Sequence, residues 1–306
     1  MTGLGLLTFL AHGETPASQG YGETVEKAIR YLVNSQNVDG TFPKAGSNYV
    51  YGHAIATYAI SEAYGLTLIP SLKRAMNRSV KIIVDGQQRG GGWDYRYRKT
   101  ARRDTSVAGW QIQALKAASI ARCSVPGIQK ALDRAIVDLT KFQSETGRFG
   151  YSNTPGSANA GVRGGLTSIG ALCMQLLGHA EDDACKRAIK YLNEIEIEVN
   201  WDRRGVRSKW PLYGWYYITQ AKFHDGRSFR KWNRKFAREF IRAQNTDGSW
   251  TPPGNEMTRG KVYGTTLAAL TLQVYYRLLP TYQQKSMESE DLSEVDDEEE
   301  DLIIVI

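Results

Sequence analysis

The chain has 306 residues, of which 42% are hydrophobic and 23% are charged, with a mean hydropathy of −0.42. This composition supplies a sizeable core and predicts a soluble protein, since no apolar run is long enough to span a bilayer. Residues 288–301 contain ten acids and no base, so the rest of the chain has 39 bases against 22 acids, a charge of +17. Such a body favours binding to an anionic partner, but no nucleic-acid motif accompanies the charge.

The first predicted element is an apolar helix over residues 3–12. No basic residue precedes this segment and no clear cleavage site follows it, so we interpret it as part of the fold and not as a signal peptide. The cellular compartment is left open. The isolated Cys123, Cys173 and Cys185 lack CxxC spacing and therefore predict neither a zinc site nor a disulfide framework.

The following elements repeat at intervals of about fifty residues. Each copy has an amphipathic helix, then a glutamine, a glycine-containing turn, and an aromatic residue six positions after the glutamine. The four copies pair Gln36 with Phe42, Gln87 with Trp93, Gln143 with Phe149, and Gln244 with Trp250. A further copy near Glu196 keeps the helix stripe at Ala188 and Leu192 but lacks the glutamine and the glycines. Such a stripe at spacing i, i+4 is one buried helix face.

A second segment, more apolar and rich in small residues, follows each turn. Helices that are apolar on most sides belong inside a fold, so each repeat predicts an outer, half-polar helix and an inner, buried one. With the first helix, the predicted inner helices cover residues 3–12, 53–64, 105–118, 166–177, 213–223 and 263–276. Stacked pairs give either an open solenoid or a closed ring. The outer partner of the first inner helix would lie before residue 1, so we expect a gap or weak seam there.

The glutamine and the aromatic residue of each turn predict a stabilising device. A glutamine amide both donates and accepts hydrogen bonds, so it can tie the end of a helix to neighbouring backbone. Glycine permits the positive φ of a tight turn, and the aromatic ring can cover the glutamine and join adjacent repeats. We therefore interpret these eight residues as structural.

The four Gln…Gly-x-Trp/Phe copies resemble the QW repeats of squalene–hopene and oxidosqualene cyclases, in the prenyltransferase and squalene-oxidase repeat superfamily. Residues 51–59, 104–111 and 215–220 are similar to a group of bacterial prenyltransferase-repeat proteins. The resemblance covers residues 1–285 and implies an all-α toroid of about six inner and five to six outer helices around a central cavity. Residues 286–306 form an acidic tail that we expect to be disordered, because like charges repel and offer little to bury.

The catalytic motifs of this superfamily are not evident in the predicted helical body. Cyclases that protonate an alkene or epoxide use Asp-x-Asp-Asp, and the acidic runs 181–183 and 294–297 lie in a connector and in the tail. An Asp-rich magnesium motif and the Asp, Cys and His pattern of the prenyltransferase zinc site are also missing. We predict no metal and no cofactor, and whether the chain is an enzyme is left open.

Polar and aromatic residues cluster at the starts of the predicted inner helices. In a ring these starts lie at one mouth, where aromatic faces can stabilise a cation and where His53 and Asp104 can act as base and acid. The alternative is that they pack the core and cap helices, as an aspartate does at a helix start. The candidate cavity-lining residues are His53, Asp104, Trp110, Tyr213, Trp215, Tyr216 and Tyr263.

Three functions are compatible with these features. The first is a toroid that binds a hydrophobic, isoprenoid-like ligand in its central cavity without cyclase chemistry. The second is an enzyme of terpenoid cyclase or isomerase type that uses other acid–base residues. The third is a scaffold that binds a protein or a polyanion through the basic body.

Overall fold

The computed structural model describes residues 1–44, 46, 49–157, 161–201, 209–275 and 278–282. Within them the fold contains eleven α-helices and no β-strand, and none of those helices is both long and apolar enough to cross a membrane. The predicted acidic tail, residues 286–306, lies outside the described residues. The helices are α1 (Thr2–Ala11), α2 (Gly22–Ser35), α3 (Tyr49–Thr67), α4 (Pro70–Gly86), α5 (Thr105–Ile120), α6 (Ile128–Lys141), α7 (Gly165–Leu176), α8 (Asp183–Glu194), α9 (Pro211–Asp225), α10 (Phe229–Arg242) and α11 (Gly260–Leu272).

The odd-numbered helices form a closed inner ring. Each of α1, α3, α5, α7, α9 and α11 packs against the next, and α11 packs against α1. At this closure the Thr8 hydroxyl lies 3.4 Å from the carbonyl oxygen of Thr266. The even-numbered helices pack around the outside of the ring. The predicted toroid of six inner and five outer helices is therefore confirmed, and the open solenoid is excluded.

The two layers bury different shares of their surface, as the sequence pattern predicts. Outer helix α4 buries one stripe that includes Leu72, Met76 and Ile83, and it exposes its charged face. Inner helix α5 buries thirteen of its sixteen residues, so it has neighbours on every side. Small residues allow these close approaches: a Cβ added to Gly109 would lie only 2.6 Å from Ile169 on α7.

In the first three repeat turns the glutamine connects successive outer helices. Its Nε2 donates to the carbonyl oxygen four residues later in its own turn and to a carbonyl oxygen on the next outer helix. The second bonds run from Gln36 to Ala75 (2.9 Å), from Gln87 to Ala131 (2.7 Å) and from Gln143 to Ala184 (2.7 Å). Gln244 is exposed and donates only to Gly248 within the described residues. Among the described residues, the last repeat thus has the turn but lacks the hydrogen bond to another outer helix.

The aromatic residues of the turns are buried beneath the outer helices. The indole of Trp93 donates to the carbonyl oxygen of Ile83 (2.9 Å), and the indole of Trp250 donates to that of Phe240 (2.7 Å). Each bond satisfies a carbonyl in the last turn of an outer helix, where no intrahelical partner is available. Phe42 and Phe149 occupy the equivalent buried positions without a polar group.

Other groups hold the fourth repeat, in which the glutamine is replaced by Glu196. Lys222 of α9 donates to the carbonyl oxygen of Leu192 (3.0 Å) and to the side chain of Asn193 (2.7 Å), at the end of α8. Burial lowers the pKa of this lysine to about 8. Trp201, which stands five positions after Glu196, packs its ring against Phe240 with centroids 4.8 Å apart. The layer is therefore maintained by a different set of contacts.

The sequence predicts a gap or weak seam between α11 and α1. Among the described residues, the extensive contacts of α11 are with α9, α1 and two short 3₁₀ turns, and not with an outer helix. Within the described ranges, α1 and α11 close the ring there with a contact as extensive as that between α9 and α11.

Candidate functional site

The centre of the ring is filled by aromatic side chains from three inner helices. Trp110 of α5 stacks on Tyr216 of α9, with ring centroids 5.7 Å apart and planes inclined by 10°. Tyr217 meets Trp110 edge to face at 5.8 Å, and Tyr58 of α3 approaches it at 6.5 Å. All four residues are buried. Offset stacks and edge-to-face contacts are the arrangements that aromatic pairs prefer, and here they fill the centre of the ring with apolar surface.

Asp104 lies at the mouth formed by the starts of the inner helices, and it caps α5. Its Oδ1 accepts hydrogen bonds from the backbone N–H groups of Ser106 (2.9 Å) and Val107 (3.2 Å) and from the Ser106 hydroxyl (2.5 Å). Tyr213 of α9 donates to the carbonyl oxygen of Ser106 (2.9 Å), which connects the cap to the aromatic centre. Burial and the charge of Asp104 raise the pKa of Tyr95 beside it.

A second carboxylate at this mouth, Glu256, was not predicted from the sequence. It is fully buried, and it caps α9 by accepting from the backbone N–H groups of Leu212 (2.6 Å) and Tyr213 (3.2 Å). Tyr263 of α11 donates to its Oε1 (2.6 Å). Burial raises the pKa of Glu256 to about 7, although these hydrogen bonds oppose the rise. Because Glu256 stands more than forty residues after the helix start that it caps, no local pattern could reveal its role.

Five of the seven candidate residues are joined in this network, and two lie elsewhere. His53 lies between the layers, with its Nε2 at 3.0 Å from the carbonyl oxygen of Ser79 on α4. Burial lowers its pKa to about 4, so it is neutral at pH 7. Trp215 also faces the outer layer, where its indole donates to the carbonyl oxygen of Glu198 (2.9 Å) and its ring packs on Phe240. The residues brought together are Asp104, Trp110, Tyr213, Tyr216 and Tyr263.

A third buried carboxylate, Glu62, lies one turn beyond Tyr58 on α3, toward the other mouth of the ring. Its Oε1 accepts from the backbone N–H of Thr281 (3.3 Å) and from the Thr281 hydroxyl. Its Oε2 and the Tyr58 hydroxyl make no well-formed hydrogen bond to any described residue. Burial raises the pKa of Glu62 to about 7, and the bonds from Thr281 limit the rise. The sequence offered only a lone glutamate in an apolar helix as a signal.

Residues 278–282, here named the closing segment, cross the mouth formed by the ends of the inner helices. Leu278 lies against Gly13 after α1, and Pro280 lies against Gly65 of α3. The Tyr282 hydroxyl reaches inward, to 3.1 Å from Gln113 Oε1 and 3.2 Å from the Tyr216 hydroxyl. The segment therefore contacts the aromatic centre from the side opposite Asp104.

A small cavity remains beside the closing segment. Its volume of about 10 Å³ is room for roughly one water molecule. The walls are apolar apart from two amides and two phenols. The lining residues are Ala11, Tyr216, Gln220, Leu270, Gln273, Val274, Leu278, Leu279 and Tyr282.

Two further features bear on binding. The described residues contain no group of three or more His, Cys, Asp or Glu side chains that could hold a metal ion.

Outer helix α10 exposes a basic face, with Glu239 as the single acid of the helix. The basic residues of this face are Arg230, Lys231, Arg234, Lys235, Arg238 and Arg242.

Comparison with solved structures supports the toroid. A GH76 α-mannanase from Bacteroides thetaiotaomicron has a TM-score of 0.61 at 13% identity, with 91% of this chain and 86% of that chain covered. A D-mannose isomerase has a TM-score of 0.58 at 12% identity, with 90% and 86% covered. A type II terpene cyclase from Scytonema, in complex with its substrate geranylgeranyl dihydroxybenzoate, has a TM-score of 0.52 at 14% identity, with 92% and 77% covered. At such identities the likeness shows the fold alone.

Sequence comparison identifies the family. No protein with a curated description matches the chain significantly. Residues 5–162 match the squalene-hopene cyclase C-terminal domain, in agreement with the resemblance of the repeat turns to QW repeats. This match spans more than half of the chain, which therefore belongs to the family of squalene-hopene cyclase C-terminal domains.

Proposed function

We propose that the protein binds a hydrophobic, isoprenoid-like ligand inside the helical ring. The observation that carries this proposal is the aromatic centre, where Trp110 stacks on Tyr216 and Tyr58 and Tyr217 lie beside them. The terpene cyclase with the same fold takes geranylgeranyl dihydroxybenzoate, a molecule with a long apolar chain, as substrate. An isoprenoid chain in this interior gains about 0.8 kcal/mol for each buried CH₂ group.

Binding without protonation-initiated cyclisation fits the carboxylates of the ring. Protonation of an alkene needs a strong acid, whereas burial raises the pKa of Glu62 and of Glu256 to about 7 and so weakens both as acids. Asp104 uses one oxygen to cap α5. None of the three has the second and third aspartates of an Asp-x-Asp-Asp motif beside it in the sequence.

A second candidate is an enzyme of terpenoid cyclase or isomerase type with Glu62 as its acid–base group. The observation that favours it is the burial of Glu62, which raises its pKa to about 7, a value suited to proton transfer near neutral pH. The two candidates differ in what happens to the ligand. A binding protein returns it unchanged, and an enzyme releases a product of altered mass or double-bond position.

The test is a fluorescence titration of the purified full chain with farnesol and geranylgeraniol, followed by extraction and mass spectrometry. Trp110→Phe removes an indole from the centre of the ring, and Trp210→Phe makes the same change at a partly exposed site outside it. We expect saturable binding that is weakened about fivefold or more by Trp110→Phe and unchanged by Trp210→Phe. The absence of saturable binding, or equal effects of the two variants, would refute the proposal.

A further inference from the structure

The closing segment occupies the ring in the manner of a bound molecule. It contacts helices on several sides of the mouth: Leu278 lies beside the end of α1, Pro280 lies on α3, and Tyr282 reaches α5 and α9. Leu279 and Tyr282 are almost fully buried, although they belong to a short segment outside the inner helices. Tyr282 thereby closes the aromatic centre from this side.

The polar groups that receive the closing segment act mainly as hydrogen-bond acceptors. Glu62 accepts two hydrogen bonds from Thr281, and Gln113 Oε1 accepts one from the Tyr282 hydroxyl. Both donors in the side chains of the segment are hydroxyl groups. Around them the walls are apolar, with Ala11, Leu270 and Val274 among the residues lining the adjoining cavity.

Within the described ranges, three polar groups at this position lack a well-formed hydrogen bond. The Oε2 of Glu62, the Tyr58 hydroxyl and the Trp110 indole are buried and make no well-formed hydrogen bond to any described residue. Buried polar atoms are nearly always satisfied in native proteins. A ligand that replaced the segment would therefore meet a carboxylate whose Oε2 takes no hydrogen bond from the segment, beside the Tyr58 hydroxyl that helps to limit the rise in the pKa of Glu62.

We propose that the closing segment is an internal occupant of the ligand site, and that the ligand displacing it is an apolar molecule with a terminal hydroxyl group. The chemical class is a prenyl alcohol or a prenylated phenol, whose hydroxyl donates to Glu62 or Gln113 as Thr281 and Tyr282 do. The proposal rests on the proposed function of binding inside the ring. It adds that the ligand needs a hydroxyl group and that the ligand competes with the closing segment for the same position.

The experiment compares two probes against three variants of the full chain. The probes are farnesol and farnesyl methyl ether, which share a chain but differ in the hydroxyl hydrogen. Thr281→Val and Tyr282→Phe each remove one hydroxyl of the segment, and Tyr275→Phe is a matched control in the partly exposed 3₁₀ turn before it. Loss of one hydrogen bond changes an equilibrium by up to about tenfold. We expect farnesol to bind three- to tenfold tighter to the first two variants, with no change in the control.

Hydrogen exchange on the wild-type chain gives a second readout that needs no variant. Farnesol should speed exchange of the amides of Thr281 and Tyr282, which donate to Glu62 and to the carbonyl oxygen of Leu279. It should slow exchange in α5 and α9 around the aromatic centre. Farnesyl methyl ether should bind at least fivefold more weakly than farnesol.

The outcomes separate this proposal from the proposed function. If farnesol binds but exchange of the closing segment does not rise and the variants match the control, the competition is wrong while binding inside the ring stands. Equal affinity for the two probes would remove the hydroxyl requirement. If neither probe binds to the wild type or to any variant, both proposals are wrong.

Discussion

The hydrogen bonds of the repeat glutamines predict that two chemically identical substitutions differ strongly in the stability they cost. Gln87→Met keeps the size of a buried side chain but removes its bonds to the carbonyl oxygens of Gly91 and Ala131, both 2.7 Å long. Each lost bond costs about 1 kcal/mol, and leaving the Gly91 carbonyl unsatisfied adds about 1 kcal/mol or more. We expect a loss of about 2–4 kcal/mol. Gln244→Met removes only one bond, on an exposed side chain, and should cost about 0.5 kcal/mol or less.

Thermal unfolding followed by circular dichroism and calorimetry measures this difference. For domains of 150–250 residues, 1 kcal/mol shifts the midpoint by about 2–4 °C, so the Gln87 variant should melt about 4–16 °C below the wild type. The Gln244 variant should melt within about 2 °C of it. Equal shifts for the two variants would show that the bond between outer helices contributes nothing beyond the turn itself, and would refute the reasoning.

Four further outcomes are expected. Trp93→Ala removes a buried ring and should lower the free energy of unfolding, measured with denaturant, by about 3–5 kcal/mol. An unchanged free energy of unfolding would show that Trp93 does not join the repeats. Asp104→Ala removes the cap of α5 and should cost about 1–2 kcal/mol, with Asp104→Ser recovering most of it. The folded-state pKa of Glu62, about 7, lies above the ordinary 4.5. Between these pH values the unfolded state loses the proton while the folded state keeps it, so the free energy of unfolding falls as pH rises from about 4.5 to about 7. The free energy of unfolding of Glu62→Gln should therefore rise by up to about 3 kcal/mol relative to that of the wild type over this pH range. Unfolding at several pH values measures this difference, and a difference that does not change with pH would contradict the raised pKa of Glu62. Deletion of residues 286–306 should strengthen binding of heparin to the basic face at low salt, with a gain that fades as salt is added, and equal affinities at low salt would leave the tail as a solvating segment.

The fold could be predicted because its rules are local and repeated. Each glutamine and its aromatic residue are separated by six positions, and the helix before them shows its buried stripe in the sequence. The ties from Gln36, Gln87 and Gln143 to the next outer helix follow from the same repetition. The period does not predict closure of the ring; the resemblance to QW-repeat proteins implies it.

The site was less predictable because its contacts join distant parts of the chain. Glu256 caps a helix that begins 45 residues earlier, and Thr281 reaches Glu62 across 219 residues. His53 and Trp215 stand near helix starts, as Trp110 and Tyr216 do, but the rotation of each helix places them toward the outer layer. Position along a helix was visible in the sequence, whereas the facing direction in a helix buried on all sides was not.

Closure of the ring between Thr8 and Thr266, 258 residues apart, has a consequence for how the chain folds during synthesis. At roughly 5–20 residues per second, α1 leaves the ribosome about 13–50 s before its partner α11. During that time the side of α1 that packs against α11 lacks its partner. Long-range contacts form late because the entropy of closing the intervening loop is lost before they are made. We therefore expect the contact between the first helix and the last to form late, and α1 to expose apolar surface to chaperones until α11 is made.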